Sequence, residues 1–460
     1  MGYRDTGALR FNNETQAVQA RATGRAVDTA PKEHRSVLAR LPLDILSQAR
    51  AMFYGYYITD FCQVWDFLYP YQSSDGPDHL TLSIDAVSLA YLSHQVNSQS
   101  AQQLGRSKYV SALRRTNAAL QYPGTTQEAT TLQTSMLLDL FERITCPSGV
   151  CQEAKRVHVD GALALVKLKG LHTFVDDVGL KVLTRLLLNA SVCYFSQGDP
   201  VSLELQEVRK HMAQFTDTSD PKWKMSGLVL EFTDLMSSMR KGEISEETRV
   251  QKCIELNDEL EEISKVAPLL WSYKRRFVAA NESHGGVLNG FYDVYSDRIA
   301  TQRSNVLRIL RIFLCKEVVT SLATRNEPDA RLQTQRASTA AAAMIQEACA
   351  SVPQMTDCEG AAQHKLQSAS ITPGSSRHNH TLSHLIDAYI LIFPLYIACW
   401  SRACTDEVRA WIIEQLDRIA EHFGIKEARK VVEILQRPND SSEDGPWDVY
   451  RLLGSYAFAA

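Results

Sequence analysis

Apolar residues recur at three- and four-residue spacing along most of the chain, and that period predicts helices. From 101 to 120, Leu104, Tyr109, Leu113 and Leu120 share one face with polar residues between them. From 132 to 144, Leu132, Met136, Leu137, Leu140, Phe141 and Ile144 repeat the theme. Pro123-Gly124 separates the two, and Thr125-Thr126 stand where an N-cap for the second belongs. A connection that short predicts antiparallel packing. Further helices are expected at about 153–169, 179–196, 201–215, 222–240, 246–266, 287–322, 332–351, 381–402, 405–423 and 426–436. Gly424 falls where a helix end favours a left-handed residue, with Lys426-Glu427-Ala428 restarting the chain. Strand alternation is scarce: Val157-His158-Val159 and the Val182-Leu183 region fit helices better. The expected class is all-α, an irregular multi-helix bundle or paired-helix array. No fixed-period repeat is visible.

Where the pattern weakens, organisation shows. Residues 1–32 read as a linker-like segment closed by Pro31, and 33–460 as one helical body. Within that body a flexible surface loop is expected at about 354–380, where Gly360 and Pro373-Gly374-Ser375-Ser376 interrupt. Residues 438–446 separate the last long helix from a short terminal one. The longest apolar stretch runs from Ala388 to Trp400 and contains Pro394. It is shorter than the roughly 20 residues of a membrane helix, so a buried, kinked core helix is expected and no membrane partner.

Composition narrows the class without naming an activity. The chain has 460 residues, 45% hydrophobic and 22% charged, an ordinary globular balance. Its net charge of -4 leaves no basic excess for gripping phosphates. The small basic clusters, Arg114-Arg115 and Lys274-Arg275-Arg276, read as solvated helix faces rather than an import signal. Ten cysteines without a dense framework, and no apolar leader in residues 1–30, predict free thiols in a reducing compartment.

Candidate chemistry is thin. Cys146 and Cys151, and Cys399 and Cys404, form two couples with four residues between. Neither is flanked by the further Cys or His that a four-ligand zinc site needs. His378, His380 and His384 cluster, and His380 and His384 fall at helical i, i+4 spacing. Thr381, not Glu, follows His380, so these read as loop histidines at a helix start. Asp176-Asp177 and Asn257-Asp258 are the nearest approach to the magnesium-binding pairs of all-helical terpenoid synthases. Neither carries the additional ligands at the needed spacing. Gly285-Gly286 reads as a loop, not a phosphate cradle, and no serine nucleophile elbow is present. Cys253, Leu256, Leu260 and Ile263 make a seam of about two heptads, read as bundle-facing. No catalytic, cofactor-binding or metal-binding residue is assigned, no cofactor is expected, and the chain is not expected to be an enzyme.

Several ordered motifs nonetheless resemble one family. Gly2-Tyr3-Arg4-Asp5, Phe11 and Glu14-Thr15 are similar to a linker following a zinc cluster. Ala86-Val87-Ser88-Leu89-Ala90-Tyr91-Leu92-Ser93 resembles an A-V-x-L-A-x-L-S helix. Tyr109, Ala112-Leu113, Thr116-Asn117, Ala119-Leu120 and Pro123 follow Y-x-x-A-L-x-x-T-N-x-A-L-x-x-P. Thr131-Leu132, Leu137-Leu138 and Glu142-Arg143-Ile144 continue it. His158, Gly161-Ala162, Leu165 and Lys169-Gly170 resemble H-x-x-G-A-x-x-L-x-x-x-R-G. Pro268, Trp271 and Tyr273, then Ala350-Ser351-Val352-Pro353, Phe393-Pro394-Leu395, Trp411, Leu416, Ile419, Gly424-Ile425 and Ala428, complete the series. Together they resemble the regulatory region, or middle homology region, of fungal binuclear zinc-cluster transcription factors. Departures are Lys155 where Trp is usual, Glu128 or Gln127 for an Asp, and Lys169 for Arg.

The resemblance implies an all-helical regulator of fungal genes, nuclear, pathway- or secondary-metabolite-specific, working through protein contacts. In the family, a zinc cluster places a helix in the DNA major groove. No C-x2-C-x6-C array occurs in these 460 residues. The expected partners are therefore transcription machinery or a zinc-cluster paralogue, with homodimerisation left open. Neither direct DNA binding nor stoichiometric zinc is expected of this chain alone. Its linker-like start favours an upstream exon for the cluster over a product that begins here. Two other classes stay open: a non-DNA-binding interaction or scaffold protein, and an all-helical enzyme of terpenoid-synthase type.

Overall fold

Helix starts coincide with side chains that can accept the orphan N–H groups of a first turn. The computed structural model describes residues 44–69, 71, 77–96, 98–121, 129–145, 152–266, 273–278, 286–358, 380–437 and 445–453. Expectations placed on residues 1–43, Pro123 to Thr126, Glu128 and Gln127, Cys146, Cys151, Pro268, Trp271, Gly285, Gly360, Pro373 to Ser376 and His378 lie outside these, as does the side chain of Lys155.

Among the described residues the architecture is all-α apart from one small hairpin. In chain order come α1 Ile45–Met52, a π-helical turn Phe53–Phe61 and a 3₁₀ turn Gln63–Leu68. Next are α2 His79–Val96, α3 Gln99–Leu120, α4 Ala129–Thr145, α5 Gln152–Lys169, α6 Asp177–Gln197, α7 Leu203–Met212, α8 Pro221–Lys241 and α9 Glu246–Val266. The hairpin, β1 Tyr273–Phe277 and β2 Phe291–Tyr295, precedes α10 Arg298–Leu322 and α11 Pro328–Ala350. The chain closes with α12 Val352–Thr356, α13 Leu382–Tyr389, α14 Ile392–Trp400, α15 Asp406–His422, α16 Lys426–Leu435 and α17 Pro446–Leu453. Asp44, Ser98, Asp176, Ser202, Asp220, Asp297, Thr381 and Thr405 each accept a backbone N–H at the start of the helix that follows.

Sequential helices pack as neighbours: α2 with α3 and α4, α5 with α6, α8 with α9, α9 with α10, and α10 with α11. One hydrophobic cluster runs from Ala49 to Leu453. Near its centre lies α14, in contact with α10, α11, α15, α16 and α17. The Cys253, Leu256, Leu260, Ile263 seam is buried in that cluster, as a bundle-facing seam should be. Gly105 lets α2 and α3 approach closely, since an added Cβ would lie 3.2 Å from the Leu89 Cβ and 3.5 Å from the Ala86 carbonyl.

Four sequence readings need correction. The helix expected at 287–322 begins only at Arg298; before it, Phe291–Tyr295 pairs antiparallel with Tyr273–Phe277. Arg275 faces Asp293 across this ladder and holds it bidentately, at 2.8 and 3.1 Å. The Lys274-Arg275-Arg276 cluster therefore sits on a strand rather than a helix face, whereas Arg114 and Arg115 are exposed on α3 as expected. The helix expected at 381–402 is two helices, broken at Ile390–Leu391. Pro394 explains the break: it has no N–H for the Ile390 carbonyl, and its ring would collide with that group in a continuous helix. Finally, part of the expected 354–380 loop is α12. By length and apolarity both Asp177–Gln197 and Ser383–Trp400 could cross a bilayer, but here both are largely buried core elements.

Candidate functional sites

The residues singled out in the motif series fall mainly on packing surfaces, and three of them converge. Tyr109 of α3 donates its hydroxyl to Glu142 of α4. His158 of α5 places Nε2 2.9 Å from the same Glu142 Oε1. Tyr109 also stacks on Phe141, centroids 4.5 Å apart. Burial pulls the His158 pKa down, but the hydrogen bond and charge of Glu142 outweigh it, so the net shift is upward. The cluster has a carboxylate, a phenol and an imidazole, yet its geometry ties three helices together. Gly170 takes φ +86° after α5, the helix stop the motif requires. Gly161 does not serve close helix approach, since a Cβ there would meet nothing within 4 Å.

Of the residues weighed as magnesium ligands, Asp176, Asp177 and Asn257 have structural partners. Asp176 caps α6 through the Gly179 N–H at 2.9 Å, and Asp177 pairs with Lys181 at 3.0 Å. Asn257 accepts from Arg311 at 3.0 Å, and Glu261 pairs with the same arginine at 2.7 Å. Two buried thiols are poor nucleophiles: burial pushes Cys253 up to about 12 and Cys315 up to about 11.

Two sites have geometry suited to a ligand. One is an open groove of about 640 Å³ between α9, α10 and α11. Glu261, Ser264 and Lys265 line one wall, and Leu332, Gln335, Arg336, Thr339, Ala340, Ala343, Met344 and Glu347 the other, with Arg311 at the floor. Small residues on α11 hold the groove open, and beneath it Arg308 reaches Glu347 at 3.2 Å and Tyr295 at 2.6 Å. Both signs of charge are present, so the groove suits a small polar molecule rather than a polyanion.

The second is a cysteine–histidine cluster. Among the described residues, one group of three or more Cys, His, Asp or Glu ligand atoms converges: Cys358, His380 and His422, all within 4.8 Å of one another. Cys358 Sγ lies 3.0 Å from His422 Nε2. The His380 ring meets His422 edge-on, centroids 4.7 Å apart, and stacks near His384 at 5.3 Å. Phe423, 1% exposed, walls the site against the rings of His380 and His384 at 4.3 and 5.0 Å.

Each contributing element is anchored independently. The Gln354 side chain of α12 donates to the Tyr295 carbonyl at 2.8 Å and accepts its N–H at 2.7 Å. Arg298 donates to the Ser383 carbonyl of α13 at 2.8 Å. The α15 helix is fixed by Ile412, Leu416 and Ile419, all fully buried. The expected His380–His384 proximity is present, but its partners Cys358 and His422 lie 64 residues apart, and no spacing rule connects them. Cys399 and Cys404 are neighbours whose thiols hydrogen-bond, holding the Cys399 pKa down. Across the whole chain, no protein-family model, no curated protein and no solved structure is found to match.

Proposed function

We propose that this chain is the regulatory body of a fungal binuclear zinc-cluster transcription factor, acting on gene expression in the nucleus through protein contacts. What supports the reading is the convergence of Tyr109, Glu142 and His158, which three separate motifs of the resemblance place on three successive helices. Residues drawn from ordered motifs and meeting in one hydrogen-bonded cluster behave as parts of one packing module. The acidic balance fits regulation through protein surfaces better than through phosphate contacts. The mixed-charge groove supplies a place for a small effector.

Chromatin immunoprecipitation of the tagged chain in its own cells, beside imaging, tests this. Nuclear residence with enrichment at a defined set of promoters is the expected outcome. Exclusion from the nucleus under all growth conditions would favour a scaffold elsewhere in the cell and overturn the proposal.

A further inference from the structure

We infer that Cys358, His380 and His422 form a mononuclear transition-metal site, with zinc as the ion it fits best. This replaces the sequence-based expectation of no stoichiometric zinc. The donor set is one soft thiol and two imidazoles, the combination that selects zinc or copper over magnesium or calcium. Bond lengths of about 2.3 Å to sulfur and 2.0 Å to nitrogen in a tetrahedral site space the ligand atoms roughly 3.3–3.6 Å apart. The three donors stand within 4.8 Å of one another, and Sγ to Nε2 of His422 is 3.0 Å. Bringing the donors to that spacing therefore asks for shifts of about 1 Å.

The surroundings fit as well. His380 is buried against Phe423, which lowers the local dielectric, while Cys358 and His422 are half-buried and leave a face for water as the fourth ligand. Each donor comes from a different anchored segment: the second residue after α12, the residue before the Thr381 cap of α13, and the last turn of α15. A bound ion would lock these three together and stabilise the C-terminal half. Binding would convert the Cys358 thiol to thiolate, its proton passing to solvent, while both imidazoles bind neutral. The competing description is a thiol–imidazole hydrogen bond inside an aromatic cluster.

Cobalt(II) titration of the full chain, first stripped with chelator, separates the two. One equivalent of cobalt should give visible tetrahedral bands and a near-ultraviolet thiolate-to-cobalt band, both displaced by zinc, and zinc should raise the melting temperature. Cys358→Ser should lose the thiolate band, and His422→Gln should weaken binding by on the order of tenfold or more. Cys404→Ser, in the Cys399–Cys404 thiol pair, should change neither. Should Cys358→Ser fail to fold, the His422→Gln titration decides alone. A folded wild-type chain with no cobalt bands, or bands that survive Cys358→Ser and vanish in Cys404→Ser, would overturn the site.

Discussion

The layer around α2 and the α15–α16 hairpin bury their helices by opposite means. The hairpin is conventional: Val408, Ile412, Leu416 and Ile419 on α15 meet Ala428, Val431, Val432 and Leu435 on α16, with charges outside. Arg409 closes its ends, donating to the Cys399 carbonyl at 3.1 Å and the Leu435 carbonyl at 2.7 Å, two helix C-termini at once. Helix α2, by contrast, is buried nearly all round from His79 to Leu92. Asp85, 2% exposed, is tolerated there because Arg50 donates at 2.7 Å and Lys108 at 3.0 Å. A stripe of aliphatic residues is enough to seat a surface helix. A central helix needs its few polar groups matched by partners from other elements.

The largest effect should come from stripping the partners of the buried charge. Arg50→Ala with Lys108→Ala leaves Asp85 uncompensated and should cost about 3–5 kcal/mol of unfolding free energy. Adding Asp85→Ala should recover most of that loss, because the triad itself contributes little once all its charges are gone. Urea denaturation of the three chains checks both halves, and a triple variant as weak as the double would break the comparison.

In the hairpin the cost is a cavity. Leu416→Ala should destabilise by about 3 kcal/mol with no rescue available from polar substitution nearby. Gly424, at φ +71°, should lose about 1–2 kcal/mol when changed to Ala, since the left-handed turn between α15 and α16 strains a β-carbon. Thermal melts read both, and a neutral Gly424→Ala would mean the turn relaxes.

The smallest effect is electrostatic and lies beside α2. His158 has its pKa raised above the ordinary 6.5 by Glu142. A group whose folded pKa is raised contributes in full below its unfolded value. That contribution disappears as pH climbs through the folded value. His158→Gln should therefore flatten the stability profile just above pH 6.5 and leave the alkaline limb unchanged. An unaltered slope would remove Glu142–His158 from the account.

Legibility followed the same divide. The α15–α16 hairpin, its Gly424 turn and the 246–266 helix were readable because their apolar residues keep a 3.6-residue period. The β hairpin was not, because β2 turns Asp293 inward, where alternation demands an apolar residue, and hides it behind Arg275. Asn289-Gly290, both with positive φ, marks a turn just before the strand, but β1 ends at Phe277, too far back for the pair to be read as a two-residue hairpin loop. His380 and His384 were visible as a pair, but Cys358 and His422 join them only through the packing of α12 against α13 and the seating of α15. Convergence of distant residues is a property of topology, which local spacing does not encode.

The proposed role, regulation of transcription through protein contacts, is tested most directly by fusing this helical body to an unrelated DNA-binding domain above a reporter gene. The account predicts a several-fold change in reporter output, reduced by Leu416→Ala in proportion to its loss of folded protein. A fusion that is folded, nuclear and bound at the reporter, yet leaves output unchanged with and without cell extracts of candidate effectors, would contradict it.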